Sequence, residues 1–437
     1  MLVKNKKTYY TRYNFFLQRR HCMDKMIFAA KQNRNIPKED KIFGISNRAK
    51  AMIAKEGKDK VVNATIGALL DDEGELIVLS SVDEVFHSLT PKEYAEYAPI
   101  AGVPEFREAV IKDVCGNYQP HAYMTAVAAP GGTGALRNAI ANYSERGDKI
   151  LVSDWYWAPY STIAQELGRG TETCAFFNDE RNFHLADFEK KVVSLLAKQE
   201  RLVIILNTPA HNPTGYSLTD EDWQGVAEVL RKHSAGKKVA LVVDIAYIEF
   251  SSHDHNPRNF LPILESLPES VLPLISHSFS KTYTLYGMRC GALVCMAKTK
   301  KIAEEFKQVC EFSSRASWSN CARAPQMIVA KIYADSKLKA RVDEEREGFR
   351  DMLLRRGKAF ETAAREVGLE IVPFDAGFFA SIPCADPDAV SAELEKEGIF
   401  LVPLAKGVRV SIASISEKVC AVLPAKIKAA LARVENR

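Results

Sequence analysis

The sequence has no C-x-x-C pair and no grouping of histidine and cysteine at zinc-ligand spacing; its nine cysteines are scattered. That pattern excludes a zinc framework and a disulfide scaffold, and points to buried thiols in the reducing cytoplasm. It also lacks any run of about 18 apolar residues, so no segment is expected to cross a membrane. Charge of one sign is equally scarce, because 59 lysines and arginines stand against 55 aspartates and glutamates. A formal charge of +4 spread over 437 residues gives no dedicated nucleic-acid surface. No internal repeat and no low-complexity linker interrupts the chain, which excludes a solenoid or a string of tethered modules.

What is present is an ordinary globular balance, 47% hydrophobic and 26% charged, long enough for two domains or one elaborated domain. The first 22 residues differ from the rest. They carry Lys4, Lys6, Lys7, Arg12, Arg19 and Arg20 with no acid, beside Tyr9, Tyr10, Tyr13, Phe15 and Phe16. With no secretory apolar core and little serine or alanine, they read as a basic extension over 1–38, or as sequence ahead of a start at Met23 or Met26, rather than a targeting peptide.

From about residue 98 the pattern alternates. Lys149–Val152, Leu202–Leu206, Val239–Val243, Leu272–Ser276 and Ala292–Met296 are short apolar runs of strand character. Helical spacing separates them, over 104–114 with Pro104 at the start, Asp220–His233 and Lys300–Glu311. Buried strands alternating with helices predict an α/β fold with a large, doubly wound, mostly parallel sheet. Residues 331–366 read as one or more long helices, and 368–437 as a strand–helix mixture ending in a helix over 416–434. The expected division is 39–74 and 346–437 as a smaller α+β domain built from both chain ends, and 75–345 as the large domain.

In such a sheet, ligands gather at the carboxyl ends of strands. Four places there carry chemistry. Pro130-Gly131-Gly132-Thr133-Gly134-Ala135-Leu136-Arg137 is either a plain tight turn or an anion cradle at a helix start; Arg137 breaks the dinucleotide fingerprint, and no Gly-Lys-Ser/Thr follows. Asn207-Thr208-Pro209-Ala210-His211-Asn212-Pro213-Thr214-Gly215 is a rigid loop that sets Asn212 at a strand end. Asp244-Ile245-Ala246-Tyr247 offers a carboxylate that either caps local backbone or pairs with a ring nitrogen. Ser276-His277-Ser278-Phe279-Ser280-Lys281 ends on a lysine whose desolvation would lower its pKa and free it as a nucleophile, with Arg289 downstream suited to phosphate oxygens.

Ser278-Phe279-Ser280-Lys281 with Arg289 eight residues on, preceded by Asp244-x-x-Tyr247 and His211-Asn212-Pro213-Thr214-Gly215, resembles the fold type I aminotransferases that use pyridoxal 5′-phosphate (PLP). Tyr97-x-x-x-x-Gly102-Val103-Pro104-Glu105-Phe106, the Gly131–Arg137 run and Arg409-Val410-x-x-Ala413 are most similar to the aspartate and aromatic members. The likeness covers roughly 60–415. It implies amino-acid and 2-oxo-acid exchange, with PLP held as a Schiff base on Lys281, which also moves a proton at the substrate Cα. Asp244 would keep the ring nitrogen protonated, and Tyr247 and Asn212 would bond the ring oxygen. Gly132, Thr133, Ser278 and Arg289 would hold the phosphate, joined by Tyr97 of a second subunit, and Trp157 would stack on the ring. Arg409 would grip the substrate α-carboxylate, with Gly67 beside it. The implied partners are small amino acids, 2-oxo acids and a second copy of the chain in a C₂ homodimer with shared sites. Tyr160 stands where aspartate aminotransferases often place a histidine.

Arg315, in Arg315-Ala316-Ser317-Trp318-Ser319-Asn320, resembles the arginine that reads a distal carboxylate across the dimer; a surface arginine is the alternative, and Arg323 competes for the role. A reader of that kind favours aspartate or glutamate, whereas Trp318 keeps an aromatic donor open. The same cradle also serves PLP-dependent lyases. A PLP-binding transcription regulator would need a DNA-binding domain ahead of residue 60, and no helix-turn-helix pattern stands there. His253-Asp254-His255 reads as a surface loop, not a metal site.

Overall fold

A computed structural model describes residues 28–30, 32–35, 41–254 and 256–436; most of the basic extension over 1–38 lies outside them. The apolar runs form a seven-stranded sheet: β2 (Tyr123–Ala129), β3 (Lys149–Ser153), β4 (Gly170–Cys174), β5 (Arg201–Asn207), β6 (Lys238–Asp244), β7 (Val271–Ser278) and β8 (Gly291–Ala297). A two-residue strand, β1 (Val62–Asn63), precedes them. The sheet order is β2-β8-β7-β6-β5-β3-β4, and only β8 runs against its neighbours. Strands β5, β6 and β7 are buried along nearly their whole length, so both faces must be covered. One cover holds the helices Pro104–Cys115, Leu185–Leu196, Asp220–His233 and Arg323–Ala334; the other holds Gly131–Tyr143, Pro159–Glu166 and Lys300–Ser317. This is the expected doubly wound α/β arrangement.

Local chemistry sets the helix ends. Thr219 caps Asp220–His233 through a reciprocal pair with Asp222, with acids in the first turn and Arg231, Lys232 and His233 in the last. The stretch read as long helices over 331–366 divides at Asp335, whose carboxylate accepts the N–H groups of Lys337 and Leu338 and starts the helix Ser336–Glu366.

The smaller sheet comprises β9 (Phe379–Pro383), β11 (Val402–Pro403) and β12 (Gly407–Ser411), all antiparallel, while β10 (Ile399–Phe400) pairs in parallel with β1. Helices Pro387–Glu395 and Glu417–Glu435 cover it over a separate apolar core. Sequence from both ends of the described chain thus builds the smaller unit.

Candidate active site

The geometry follows from strand direction. Strands β2, β3, β5, β6 and β7 deliver their carboxyl ends to one edge, and reversed β8 delivers its amino end there, with Arg289 just ahead of it. Close approach at this edge needs glycine. A Cβ on Gly291 would lie 2.5 Å from the Gly131 carbonyl carbon and 2.7 Å from the His277 carbonyl oxygen. A Cβ on Gly131, at φ 71°, would lie 2.5 Å from an Arg289 nitrogen.

A cavity of about 120 Å³ opens here, and Gly132, Thr133, Trp157, Asn212, Asp244, Tyr247, Ser278, Lys281 and Arg289 all line it. Sequence positions 132 to 289 therefore converge on one space. The Lys281 amine lies 5.5 Å from the Tyr286 ring centre and 5.9 Å from that of Tyr247, and no hydrogen bond or ion pair of the described residues engages it. Burial, then the positive Arg289, push its pKa down to about 8, against the pull of Asp244. A partly neutral, desolvated amine is a nucleophile and a base near neutral pH.

Asp244 is buried with its two oxygens in different states. Oδ2 accepts the Tyr160 hydroxyl at 2.6 Å, and Oδ1 has no partner. Burial pushes the carboxyl up to about 6, opposed by the Tyr160 hydroxyl and the Ala246 N–H. An unpaired buried carboxylate oxygen is costly and marks a position for a donor. Asn207 builds the next layer, donating to the Asp244 carbonyl at 2.7 Å and accepting the Asn212 N–H at 2.6 Å. The Asn212 amide reaches the Tyr247 hydroxyl at 3.5 Å, and its oxygen accepts Arg409 Nη1 at 3.2 Å. The bonds Thr208–Pro209 and Asn212–Pro213 are cis.

At the other end the helix Gly131–Tyr143 begins, with Gly132 and Thr133 in its first turn and Ser278 facing Gly132. Arg289 donates to the Ser280 hydroxyl and the Tyr286 carbonyl, both at 2.9 Å. Helix N–H groups, hydroxyls and a guanidinium together suit a phosphate.

Arg409 projects from β12, buried on the Phe379 ring at 4.1 Å. Its Nη2 donates to the Thr65 carbonyl at 2.7 Å, while Nε has no partner. Burial lowers its pKa to about 10. Gly67, two residues on, packs so close to Phe379 that a Cβ would lie 2.7 Å from the ring. Arg409 and Gly67 therefore meet on the Phe379 ring, beside the cavity and joined to it through Asn212.

Tyr97 and Arg315 do not join their own cavity. Tyr97 is 86% exposed. Among the described residues, Arg315 donates to the Ser319 hydroxyl at 2.6 Å, next to Asn320, which bonds the Ala98 carbonyl. Arg323 is instead paired with Glu96 at 3.2 Å. His253 pairs with Asp351 at 2.7 Å, His255 lies outside the described residues, and among the described residues no group of three acids, histidines or cysteines could hold a metal.

Sequence reading assigned no role to Tyr160, Ser280, Tyr286 or Thr65. Tyr160 carried a signal, as the residue at the position of a family histidine. Thr65 acts through its carbonyl, which side-chain identity does not reveal.

A family model described as aminotransferase class I and II matches residues 59–427. The chain is 26% identical to the aromatic-amino-acid aminotransferase of Paracoccus denitrificans, over 88% of this chain and 95% of that protein. It is 31% identical to the cytoplasmic aspartate aminotransferase of Caenorhabditis elegans, over 62% and 67%. A solved aminotransferase of Anaerococcus prevotii superposes with a TM-score of 0.89 at 37% identity, covering 94% of this chain and all of that one.

Proposed function

Since the chain belongs to the class I and II aminotransferase family, and is thereby a PLP-dependent transaminase, we propose that its site works through Lys281, Asp244 and Arg409 on aspartate or glutamate and their 2-oxo acids. The observation that carries this reading is that the Lys281 amine and the unpartnered Asp244 Oδ1 line one cavity, with Arg409 joined to its wall through the Asn212 side chain. The residues fit the cofactor. Asp244 Oδ1 would take its ring N–H, Trp157 would lie on its face, and Asn212 and Tyr247 would meet its ring oxygen. Gly132, Thr133, Ser278 and Arg289 would hold its phosphate. When bound, PLP supplies an electron-withdrawing ring that loosens the bonds at the substrate α-carbon.

The protein groups then have separate tasks. Arg409 would grip the substrate α-carboxylate in a two-pronged contact, its guanidinium oriented by the Asn212 oxygen and the Thr65 carbonyl. Lys281, neutral above about pH 8, takes the proton from the substrate Cα and returns it. Asp244 would keep the proton on the ring nitrogen through Oδ1, the oxygen left free because the Tyr160 hydroxyl engages Oδ2.

For the side chain, Arg315 supports a distal carboxylate reader better than Arg323, because Glu96 already engages Arg323. Arg315 and Tyr97 reach a cavity only in a homodimer, which is therefore part of the proposal, as is a cytoplasmic location. Aromatic donors form the second reading, favoured by the likeness to the Paracoccus enzyme along nearly its whole length. The test is a coupled assay with 2-oxoglutarate and either L-aspartate or L-phenylalanine. Faster turnover of aspartate supports the dicarboxylate reading, faster turnover of phenylalanine replaces it, and no turnover with either removes both.

A further inference from the structure

Two walls must be held in register for any substrate bound between them. One is the turn from Lys281 to Arg289 in the large unit; the other is the segment Thr65–Leu69, which lies along Arg409 and carries Gly67. On the small-unit side this segment is strongly fixed. Arg409 Nη2 donates to the Thr65 carbonyl, and the Ser411 hydroxyl donates to the Ile66 carbonyl, both at 2.7 Å. The Leu70 N–H donates to the Ala413 carbonyl at 2.9 Å. Arg356, fully buried on the helix Ser336–Glu366, donates to the Leu70 carbonyl at 2.9 Å and to Asp72 at 2.7 Å.

On the lysine side, two hydroxyls of the turn reach back. The Leu69 N–H donates to the Tyr286 hydroxyl at 2.9 Å, and the Leu79 N–H donates to the Thr284 hydroxyl at 3.0 Å. Both come from within five residues of Lys281, and the Tyr286 ring also stands 5.5 Å from the lysine amine. Thr284 holds φ 52°, a left-handed backbone that a threonine adopts only under tertiary constraint. Phenylalanine at 286 and valine at 284 would fill the same space but leave the Leu69 and Leu79 amides without acceptors.

We propose that Tyr286 is a positioning residue: its hydroxyl ties the lysine-bearing turn to the Gly67 segment, while the Thr284 hydroxyl adds a second tie farther along the chain at Leu79, so that Arg409 and the Lys281 amine meet a substrate in one fixed register. This rests on the reading of Arg409 as the carboxylate-binding residue. Its consequence is separable from cofactor binding, because neither hydroxyl lines the cradle formed by Gly132, Thr133, Ser278 and Arg289. Loss of a tie should weaken carboxylate binding more than it slows a substrate already bound.

The test uses the PLP-loaded full chain with Tyr286→Phe, Thr284→Val and the hydroxyl-retaining control Thr284→Ser. Amide hydrogen exchange reports the tie directly, and titration of the visible band with maleate and with 3-phenylpropionate, carboxylates that have no amine to react, reports the register. We expect Leu69 to lose protection in Tyr286→Phe, and the dissociation constant of the better-binding carboxylate to rise about tenfold. KM for the amino donor should rise with it, kcat should stay within about twofold, and Thr284→Ser should match the parent chain. Unchanged Leu69 exchange overturns the proposal. So does faster exchange with unchanged carboxylate binding, which would make the bond merely structural. A parent chain that binds neither carboxylate but retains PLP would instead overturn the reading of Arg409.

Discussion

At the scale of single residues, the site is organised by polar groups whose hydrogen bonding is left incomplete. Asp244 is the clearest case, with its carboxyl raised from 3.8 to about 6 by burial. A raised folded-state pKa means the stability contribution is fully present below the unfolded value and is lost as pH rises through the folded one. The cofactor-free protein should therefore lose about 3 kcal/mol between pH 4 and 6 from this group. Asp244→Asn should unfold at a higher temperature than the parent when both lack PLP at pH 7.5, and a lower melting temperature would contradict the assignment. Lys281 gives a second test. Its amine is lowered from 10.5 to about 8, so the rate of PLP uptake by cofactor-free protein should climb with pH and level off above about 8. A profile still rising steeply at pH 10 would mean an ordinary, solvated lysine. The positions of Asp244 and Lys281 at one cavity were legible in sequence because each residue follows an apolar run within a recognisable spacing. The Tyr286 hydroxyl and the Thr65 carbonyl were not, since their partners lie 217 and 344 positions away.

At the scale of elements, strand β8 shows the limit of reading periodicity. An apolar run carries no direction, so Ala292–Met296 read correctly as a strand while its reversal stayed hidden. The reversal matters because it puts Arg289 at the same edge as Gly131. Gly291→Ala should push these backbones apart, costing about 1–3 kcal/mol of stability and weakening PLP binding, measured by melting and by cofactor titration. Full retention of both would show that the edge has slack. Strand β4 was missed for another reason: Gly-Thr-Glu-Thr-Cys is a half-exposed edge with no apolar run to detect. A polar cluster behind the site escaped for a third. Asp113, on the helix Pro104–Cys115, is fully buried and accepts from His277 at 2.6 Å, from Tyr283 at 3.2 Å and from Tyr333. Burial alone would raise its pKa, but His277 and then Arg346 hold it well below the usual carboxylate range. Local pattern reads Asp113 only as one polar position in an amphipathic helix.

At the scale of the whole molecule, the exposed Tyr97 and Arg315 test the proposed homodimer. If Arg315 serves the partner's cavity, Lys281→Ala and Arg315→Leu should each abolish or deeply depress aspartate turnover as pure dimers. The arginine loss should cost roughly two to three and a half decades. Mixed dimers formed by unfolding and refolding the two together should recover activity, because one cavity then combines an intact lysine with an intact arginine. No recovery would place Arg315 outside the reaction. The overall architecture was readable from alternating patterns, but which surfaces face a partner was not, since periodicity separates buried from exposed without saying what covers the exposed side. The pairing of β1 with β10 also fixes an order of events on the ribosome. Val62 and Asn63 emerge more than three hundred residues ahead of Ile399 and Phe400, a gap of roughly twenty seconds to a minute at ordinary translation speed. Once β8 has emerged, the large sheet can close within that interval while the early strand waits with its edge open. Arg409 emerges later still, so the nascent chain can accept its cofactor before it can grip a substrate.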